Sequence, residues 1–257
     1  MIPQQVTGWP LIRSRLDVES VESTNDLARE YLDKPELLPM MIVAREQTKG
    51  RGRGDNTWWS DRGSILLTYV LNPLDHGIAR EQFSLIGLAV ALAVLDALFG
   101  CEPSARLRWP NDIEAGGRKL GGILPELVET EHGPRMIVGL GLNLMTSLDK
   151  APPKVAAMAT SIEAIWPPDN FPLPTQDGLL GEIAFDLTFA LKWLSDGDPA
   201  FVQRLNQWDA LRGQPVTIAL PGKTCEGIGA GITSDGALKV QTKSGIEIIY
   251  GGRVLRH

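Results

Sequence analysis

The sequence predicts an α+β protein, in which a mixed or antiparallel sheet carries packed helices and a small β-barrel ends the chain. Three observations lead there. Short runs rich in Val, Ile and Leu, bounded by Gly and Pro, alternate with a few segments of helical period over the first 211 residues. One segment, Gln82 to Phe99, is apolar nearly all round and so must be buried as a central helix. After Gly213 the helical period disappears, and four short strands follow, broken by Pro221-Gly222, Asp235-Gly236 and Ser244-Gly245. A boundary is expected near Arg212, dividing residues 1–211 from 212–257.

In chain order, Ser23-Thr24-Asn25-Asp26 is a cluster of capping residues before Leu27, Ala28, Tyr31 and Leu32, so a helix begins there with its free N–H groups turned toward Ser23. Strands follow at Met40 to Ala44 and Ser64 to Leu71, with a glycine-arginine loop between them. Beyond the central helix, strands are expected at Arg106 to Trp109, Leu120 to Val128 and Met136 to Leu142. Pro152-Pro153 and Pro167-Pro168 mark connections around a short helix. Leu179 to Leu194 places Ile183, Leu187, Leu191 and Leu194 on one helical face, and Pro199 starts a last helix ending near Leu211. The final strands are Val216 to Leu220, Gly227 to Ile232, Ala237 to Gln241 and Ile246 to Tyr250.

Bulk properties narrow the function. A chain of 257 residues with 43% hydrophobic residues can bury a full core without disulfides. Cys101 and Cys225 form no C-x-x-C pair, and His76, His132 and His257 have no metal-ligand spacing. The longest uncharged apolar stretch, Gln82 to Leu95, is shorter than a bilayer requires, and residues 1–10 do not read as a signal peptide. A cytoplasmic protein with no membrane partner is expected. The formal net charge of −6 disfavours general nucleic-acid binding. Against that balance Arg45 to Gly54 carries Arg45, Lys49, Arg51 and Arg53 with Glu46 as its one acid, which suits a compact anionic ligand.

Gly50-Arg51-Gly52-Arg53-Gly54 frees the backbone to present N–H groups to an anion while the guanidiniums grip it in two places. It is no dinucleotide fingerprint, because its third glycine is misplaced. Gly222-Lys223-Thr224 is no P-loop, because Thr217 occupies the leading glycine position. Gly227, Gly229 and Gly231 read as strand bends. Arg108-Trp109-Pro110-Asn111-Asp112 is followed by Arg118-Lys119-Leu120-Gly121-Gly122-Ile123-Leu124. A hairpin across Gly116-Gly117 would return Asp112 and Lys119 to the same end of the sheet, so that a carboxylate and an amine converge.

Taken in order, Glu22-Ser23-Thr24-Asn25, Gln47-x-x-Gly50-Arg51-Gly52-Arg53 with Trp58 and Ser60, the Arg108 to Asp112 and Arg118 to Leu124 strings, and Val138-Gly139-Leu140-Gly141-Leu142-Asn143 resemble the biotin protein ligases of the biotin/lipoate ligase superfamily. The resemblance covers about Glu19 to Leu144, and more loosely Gly213 to Arg256. It implies a class II synthetase-like catalytic domain and an SH3-like C-terminal domain. It also implies a two-step reaction with ATP, biotin and Mg²⁺, in which biotin's carboxylate attacks the α-phosphorus of ATP and a lysine of a biotin carboxyl carrier protein then takes the biotinyl group. The carrier would belong to acetyl-CoA carboxylase or a related carboxylase.

By that resemblance Arg51 and Lys119 hold the carboxylate and the acyl phosphate, Gly50 and Gly122 donate backbone N–H groups, and Arg53 lies near the nucleotide phosphates. Ser23, Thr24 and Gln47 meet the ureido ring of biotin, and Trp58 is either an apolar wall for it or a packed core residue. Asn25 is a biotin-side residue or a helix cap, and Asn111, Asp112 and Asn143 fall on the adenylate side. Asp112 either binds Mg²⁺ or accepts the proton of the incoming lysine. A glycine-rich loop that is mobile when empty would close over the substrate and exclude water. Gly54-Asp55-Asn56-Thr57 departs from the family's further basic and glycine residues and puts a negative charge near the phosphates.

About 18 residues precede the matching region at Glu19, so a DNA-binding domain and a nucleic-acid partner are not expected, and the reading is a monofunctional ligase. Monomer and homodimer both stay open. The alternatives are a lipoate or octanoate ligase, for which an Arg-Arg-x-Ser-Gly-Gly-Gly type segment is missing, and a catalytically slow homologue that sequesters biotin or its adenylate, which Asp55 favours. An RNA-binding protein conflicts with the acidic balance.

Overall fold

The computed structural model describes residues 2–99, 104–166 and 172–255. Cys101, the Pro167-Pro168 connection, Arg256 and His257 lie outside them. Eight strands form the main sheet: β1 (Gln4–Gln5), β2 (Ser14–Val18), β3 (Met40–Ala44), β4 (Ser64–Leu71), β5 (Arg106–Arg108), β6 (Asp112–Ala115), β7 (Arg118–Thr130) and β8 (Gly133–Asn143). Their order is β1-β2-β3-β4-β8-β7-β6-β5. β2 and β3 run parallel and the other neighbours antiparallel, so the sheet is mixed, in line with the sequence.

Strands β3 and β4 are buried along their whole length because both faces of the sheet are covered there. Met41, Val43, Ile65, Leu67, Tyr69 and Leu71 join the core formed with α2 (Ile86–Phe99) and α5 (Gln176–Asp196), the second of which buries Ile183, Leu187, Leu191 and Leu194. Met40, Ile42, Ala44, Leu66 and Val70 face the opposite way, onto Ala28, Tyr31 and Leu32. Thr68 lies on this second side as well, where α1 (Thr24–Ala28) crosses the sheet.

With the 3-10 turn that precedes it, α2 makes a helical run of 20 residues, Arg80–Phe99, long and apolar enough to cross a membrane by length and composition. The sequence reading missed this because it stopped at charged neighbours. The run is mostly buried inside the protein, and Asp96 near its end accepts hydrogen bonds from Arg204 and Trp208 of α6 (Pro199–Trp208). Two short helices, α3 (Pro153–Met158) and α4 (Ile162–Ile165), connect β8 to α5.

The C-terminal region is a second antiparallel sheet of β9 (Pro215–Leu220), β10 (Lys223–Ile232), β11 (Leu238–Thr242), β12 (Gly245–Ile249) and β13 (Arg253–Val254), in the order β12-β11-β10-β9-β13. Its outer strands do not pair with each other among the described residues, so the expected barrel is an open sheet, with β13 only two residues long. Gly227 and Gly229 permit close backbone approach: an added Cβ would lie 2.3 Å from the Gln241 carbonyl oxygen and 2.1 Å from that of Leu211. Asn206 ties α6 to this sheet through the Ile232 backbone, and the Trp109 indole donates to the Gly236 carbonyl at 2.9 Å.

The first helix also departs from expectation. It begins at Thr24 after an extended Ser23, but Ser23 makes no side-chain cap, and the helix passes into a 3-10 turn, Arg29–Tyr31, after five residues. Its first N–H, that of Thr24, is already taken by the Gln47 side-chain oxygen at 2.7 Å.

Candidate active site

A cleft of about 980 Å³ opens between the start of α1, the glycine-arginine loop, the β6–β7 hairpin, the end of β8 and the residues around β13. Ser23, Thr24, Asn25, Gln47, Arg51, Arg53, Trp58, Asn111, Asp112, Lys119, Gly122 and Asn143 all line it. Gly50 stands behind the wall: a Cβ there would lie 2.5 Å from the Trp58 carbonyl oxygen, and its own carbonyl accepts from the Trp58 N–H. Segments more than a hundred residues apart in sequence are thus gathered into one cavity.

The floor is made by glycine. On β8, a Cβ at Gly139 would lie 2.3 Å from Asn25 Oδ1, and one at Gly141 would lie 2.4 Å from Trp58 Cε2. The alternation of Val138 to Asn143 therefore seats Asn25 and the half-buried Trp58 directly on the sheet backbone. Gly122 continues the floor, 3.3 Å from the Lys119 Nζ and 3.4 Å from the Trp58 ring by the same measure.

The β6–β7 hairpin meets the expectation set by its spacing. Glu114 pairs with Lys119 and Asp112 with Gly122, a bulge falling between them, and Lys119 Nζ donates to Asp112 Oδ1 at 2.7 Å. The same ammonium lies 5.5 Å from the Trp58 ring centroid. Arg51 takes other partners. Its Nη1 donates to Asp26 at 2.6 Å and reaches Glu126 at 3.1 Å. Partial burial opposes the Arg51 charge, but Glu126 and Asp26 outweigh it and hold the guanidinium above its ordinary pKa. Arg51 and Lys119 therefore share a cavity without sharing a carboxylate.

The remaining groups are largely fixed by internal bonds. Thr24 donates its backbone N–H and hydroxyl to Gln47 Oε1 at 2.7 and 3.1 Å. The Asn25 amide is engaged at both ends, accepting from Thr68 and donating to Glu126 and the Leu124 carbonyl. Arg53 donates to Asn111 Oδ1 at 3.2 Å, joining the loop to the far wall, and the Asn111 amide donates to the Ile123 carbonyl. Asn143 is buried and donates to the Thr160 carbonyl at 2.9 Å.

Among the described residues six cationic side chains, Arg51, Arg53, Arg108, Lys119, Lys154 and Arg253, line the cleft against two acids, Asp55 and Asp112. In a protein of net charge −6 this concentrates positive potential in one place and attracts anions. Among the described residues no group of three or more His, Cys, Asp or Glu could hold a metal ion by itself. Sequence reasoning missed Asp26, Thr68 and Glu126, which support the lining residues, and also Lys154 and Arg253. Only Asp26 and Glu126 carried a signal, each lying beside a recognised string.

Two family models match the chain. The biotin/lipoate A/B protein ligase family matches residues 18–143, and the biotin protein ligase C terminal domain matches residues 212–256. A biotin--[acetyl-CoA-carboxylase] ligase of Paracoccus denitrificans is 31% identical over 83% of this chain and 88% of its own. Among solved structures, a biotin protein ligase from Aquifex aeolicus in complex with biotin and ATP aligns with a TM-score of 0.75 at 24% identity, covering 94% of this chain and 97% of that one. One from Leishmania major in complex with biotinyl-5-AMP aligns at 0.60 and 23%, covering 94% and 99%.

Proposed function

Because the chain belongs to the biotin/lipoate A/B protein ligase family, we propose that it activates biotin with ATP as biotinyl-5′-AMP and transfers the biotinyl group to a lysine of a biotin carboxyl carrier protein. The carrier would be that of acetyl-CoA carboxylase or a related carboxylase. The observation that carries this reading is a single cleft that combines a half-buried indole, a Ser-Thr-Gln hydrogen-bonding corner and an excess of cations.

In the first step a carboxylate oxygen of biotin attacks the α-phosphorus, a new P–O bond forms, and pyrophosphate leaves. Two anions have to approach, so fixed positive charge and prior orientation lower the barrier more than proton transfer does. Lys119 and Arg51 supply that charge at the carboxylate, and Arg53 and Asn111 supply polar contacts on the nucleotide side with Asn143. Trp58 and the Gly139 and Gly141 floor exclude water from the ring and acyl chain, while Ser23, Thr24 and Gln47 match the ureido group's donors and acceptor. In the second step the carrier amine attacks the acyl carbon, the bond to AMP breaks, and the amine gives up a proton.

An anion drawn to Lys119 competes with Asp112 for the same ammonium. Asp112 released in this way is available to accept the carrier lysine's proton. Asp112 also fits a magnesium ion carried on ATP phosphates, since Mg²⁺ is usually held by one or two carboxylates together with phosphate oxygens. Such an ion would supply neutralisation of the phosphate charge.

The test supplies ATP, Mg²⁺ and an apo carrier domain with biotin, lipoate or octanoate in turn, and reads the mass of the carrier. Gain of a biotinyl group alone supports the proposal. Gain of a lipoyl or octanoyl group in its place overturns it. Tight biotin binding with no gain favours the slow, sequestering homologue, for which Asp55 in the cleft lining speaks.

A further inference from the structure

We infer that Glu126, a residue outside every motif that marks the site, is the positioning residue that sets Arg51 for its substrate. Glu126 lies on β7, and its side chain is only 16% exposed. Three donors from two other segments converge on it. Asn25 Nδ2 donates to Oε1 at 2.8 Å, Arg51 Nη1 lies 3.1 Å from the same oxygen, and Arg29 Nη2 donates to Oε2 at 2.5 Å. One carboxylate thus joins the sheet, the first helix and the glycine-arginine loop.

The order of these contacts gives each a part. Asn25 is braced first, because Thr68 holds its Oδ1 at 2.7 Å and the Leu124 carbonyl receives its Nδ2 at 3.2 Å, in the space that Gly139 leaves open. Asn25 therefore fixes Oε1 of Glu126, and Oε1 in turn fixes Nη1 of Arg51. Both acidic partners of Arg51 meet Nη1; among the described residues neither Nη2 nor Nε has a hydrogen-bond partner. A guanidinium anchored through one nitrogen keeps its other donors for an arriving anion. Asp26, the other anchor, is 48% exposed and held in a softer, water-screened contact. Without Glu126, Arg29 and Arg51 would be like charges with no shared counter-charge, and the Arg51 side chain would keep only its more exposed anchor, Asp26.

This inference rests on the biotin-activation reading for the identity of the substrate, but not for the attachment of the loop. The experiment compares wild type with Glu126→Gln, which keeps the acceptor oxygen and removes the charge, and with Arg51→Ala and the double variant. Biotin-dependent pyrophosphate release is measured against both substrates, and trypsin cleavage after Arg51 and Arg53 is timed in the ligand-free protein. Glu126→Gln is expected to raise KM for biotin about tenfold, to leave KM for ATP within about twofold, and to speed loop cleavage about fivefold. In the Arg51→Ala background, adding Glu126→Gln should change KM for biotin by less than about twofold, because the residue through which Glu126 acts is gone. The idea is overturned by unchanged cleavage and unchanged KM, by both KM values rising together, or by the full effect persisting without Arg51. A wild-type protein inert toward biotin would sink the proposed reaction alone, and the tryptic comparison would still decide whether Glu126 holds the loop.

Discussion

Lys119 donates to Asp112 across 2.7 Å, with the two side chains 33% and 26% exposed. A pair this accessible to water contributes only about 0–1 kcal/mol to folding. The bond therefore adds little to the fold, but it holds an ammonium beside the Trp58 ring, where the carboxylate of the proposed substrate would compete with Asp112 for it. Lys119→Ala should reduce biotinyl-adenylate formation by at least about a hundredfold, since a fixed charge aimed at the developing phosphate charge is lost. Its melting temperature should stay within a few degrees of wild type. Pyrophosphate release at the wild-type rate would remove Lys119 from the mechanism.

The close seat of Trp58 on Gly141 leads to a second test. A methyl group at position 141 would lie 2.4 Å from Cε2 and 2.7 Å from Cζ2 of a flat, rigid ring, so the indole has to move. Gly141→Ala should destabilise the protein by about 1–3 kcal/mol, the usual range for overpacking. It should also weaken biotin binding at least about tenfold. Gly181→Ala is the control, because Gly181 lies in α5 with no atom within 4 Å of an added Cβ. Equal biotin affinity in wild type and Gly141→Ala would show that Trp58 does not wall the ligand.

Much of this architecture was legible because it depends on local pattern. The apolar runs Met40 to Ala44 and Ser64 to Leu71, and the helical period around Ile183 to Leu194, state their burial in the sequence itself. The Asp112 and Lys119 convergence was legible for the same reason, since hairpin spacing fixes it. Strand β2 was not, because Ser14-Arg15-Leu16-Asp17-Val18 holds only two apolar residues and becomes a strand by parallel pairing with β3. Arg15, half-hidden under Trp9, is held there by Asp17 and by Asp177, 162 residues away. The partners of Arg51 were hidden likewise: nothing near Glu126 in sequence says that Asn25 and Arg29 will reach it. The parts the C-terminal region adds to the cleft, Gly252 to Leu255, depend wholly on how two sheets meet.

Asp209 makes stability depend on pH. Burial first, eased by the Leu211 N–H and by Arg212, raises its pKa from 3.8 to about 6, and its Oδ2 has no hydrogen-bond partner. A carboxyl raised in the folded state binds its proton more tightly there than in the unfolded chain. The contribution of Asp209 to stability is therefore most favourable below about pH 4, falls as pH rises toward 6, and is lower by a constant amount above that. Asp186 acts in the same direction; burial, then Asp96 and Glu182, raise it to about 6 against the opposing pull of Arg204. Asp209→Asn keeps the acceptor for Leu211 and removes the buried charge. It should stabilise the protein by about 1–2 kcal/mol at pH 8 and by almost nothing at pH 4. Denaturant midpoints at the two pH values measure this, and an equal shift at both would assign the gain to packing.

Asp55 lies in the loop that Arg51 and Arg53 make basic, and it is an exposed residue of the cleft lining. Its effect has to be electrostatic, because it makes no hydrogen bond or ion pair among the described residues. An exposed charge acts over a distance that salt shortens to about 8 Å at physiological ionic strength. It opposes ATP, which carries several negative charges, more than it opposes biotin or the adenylate, which carry about one each. Asp55→Asn should therefore lower KM for ATP about two- to threefold at low salt while changing KM for biotin and the adenylate dissociation rate by less than about twofold. Raising the salt should erase the ATP effect and any small biotin effect with it. A gain in biotin affinity equal to that for ATP, or one that survives high salt, would mean that position 55 acts by reshaping the loop and not through its charge.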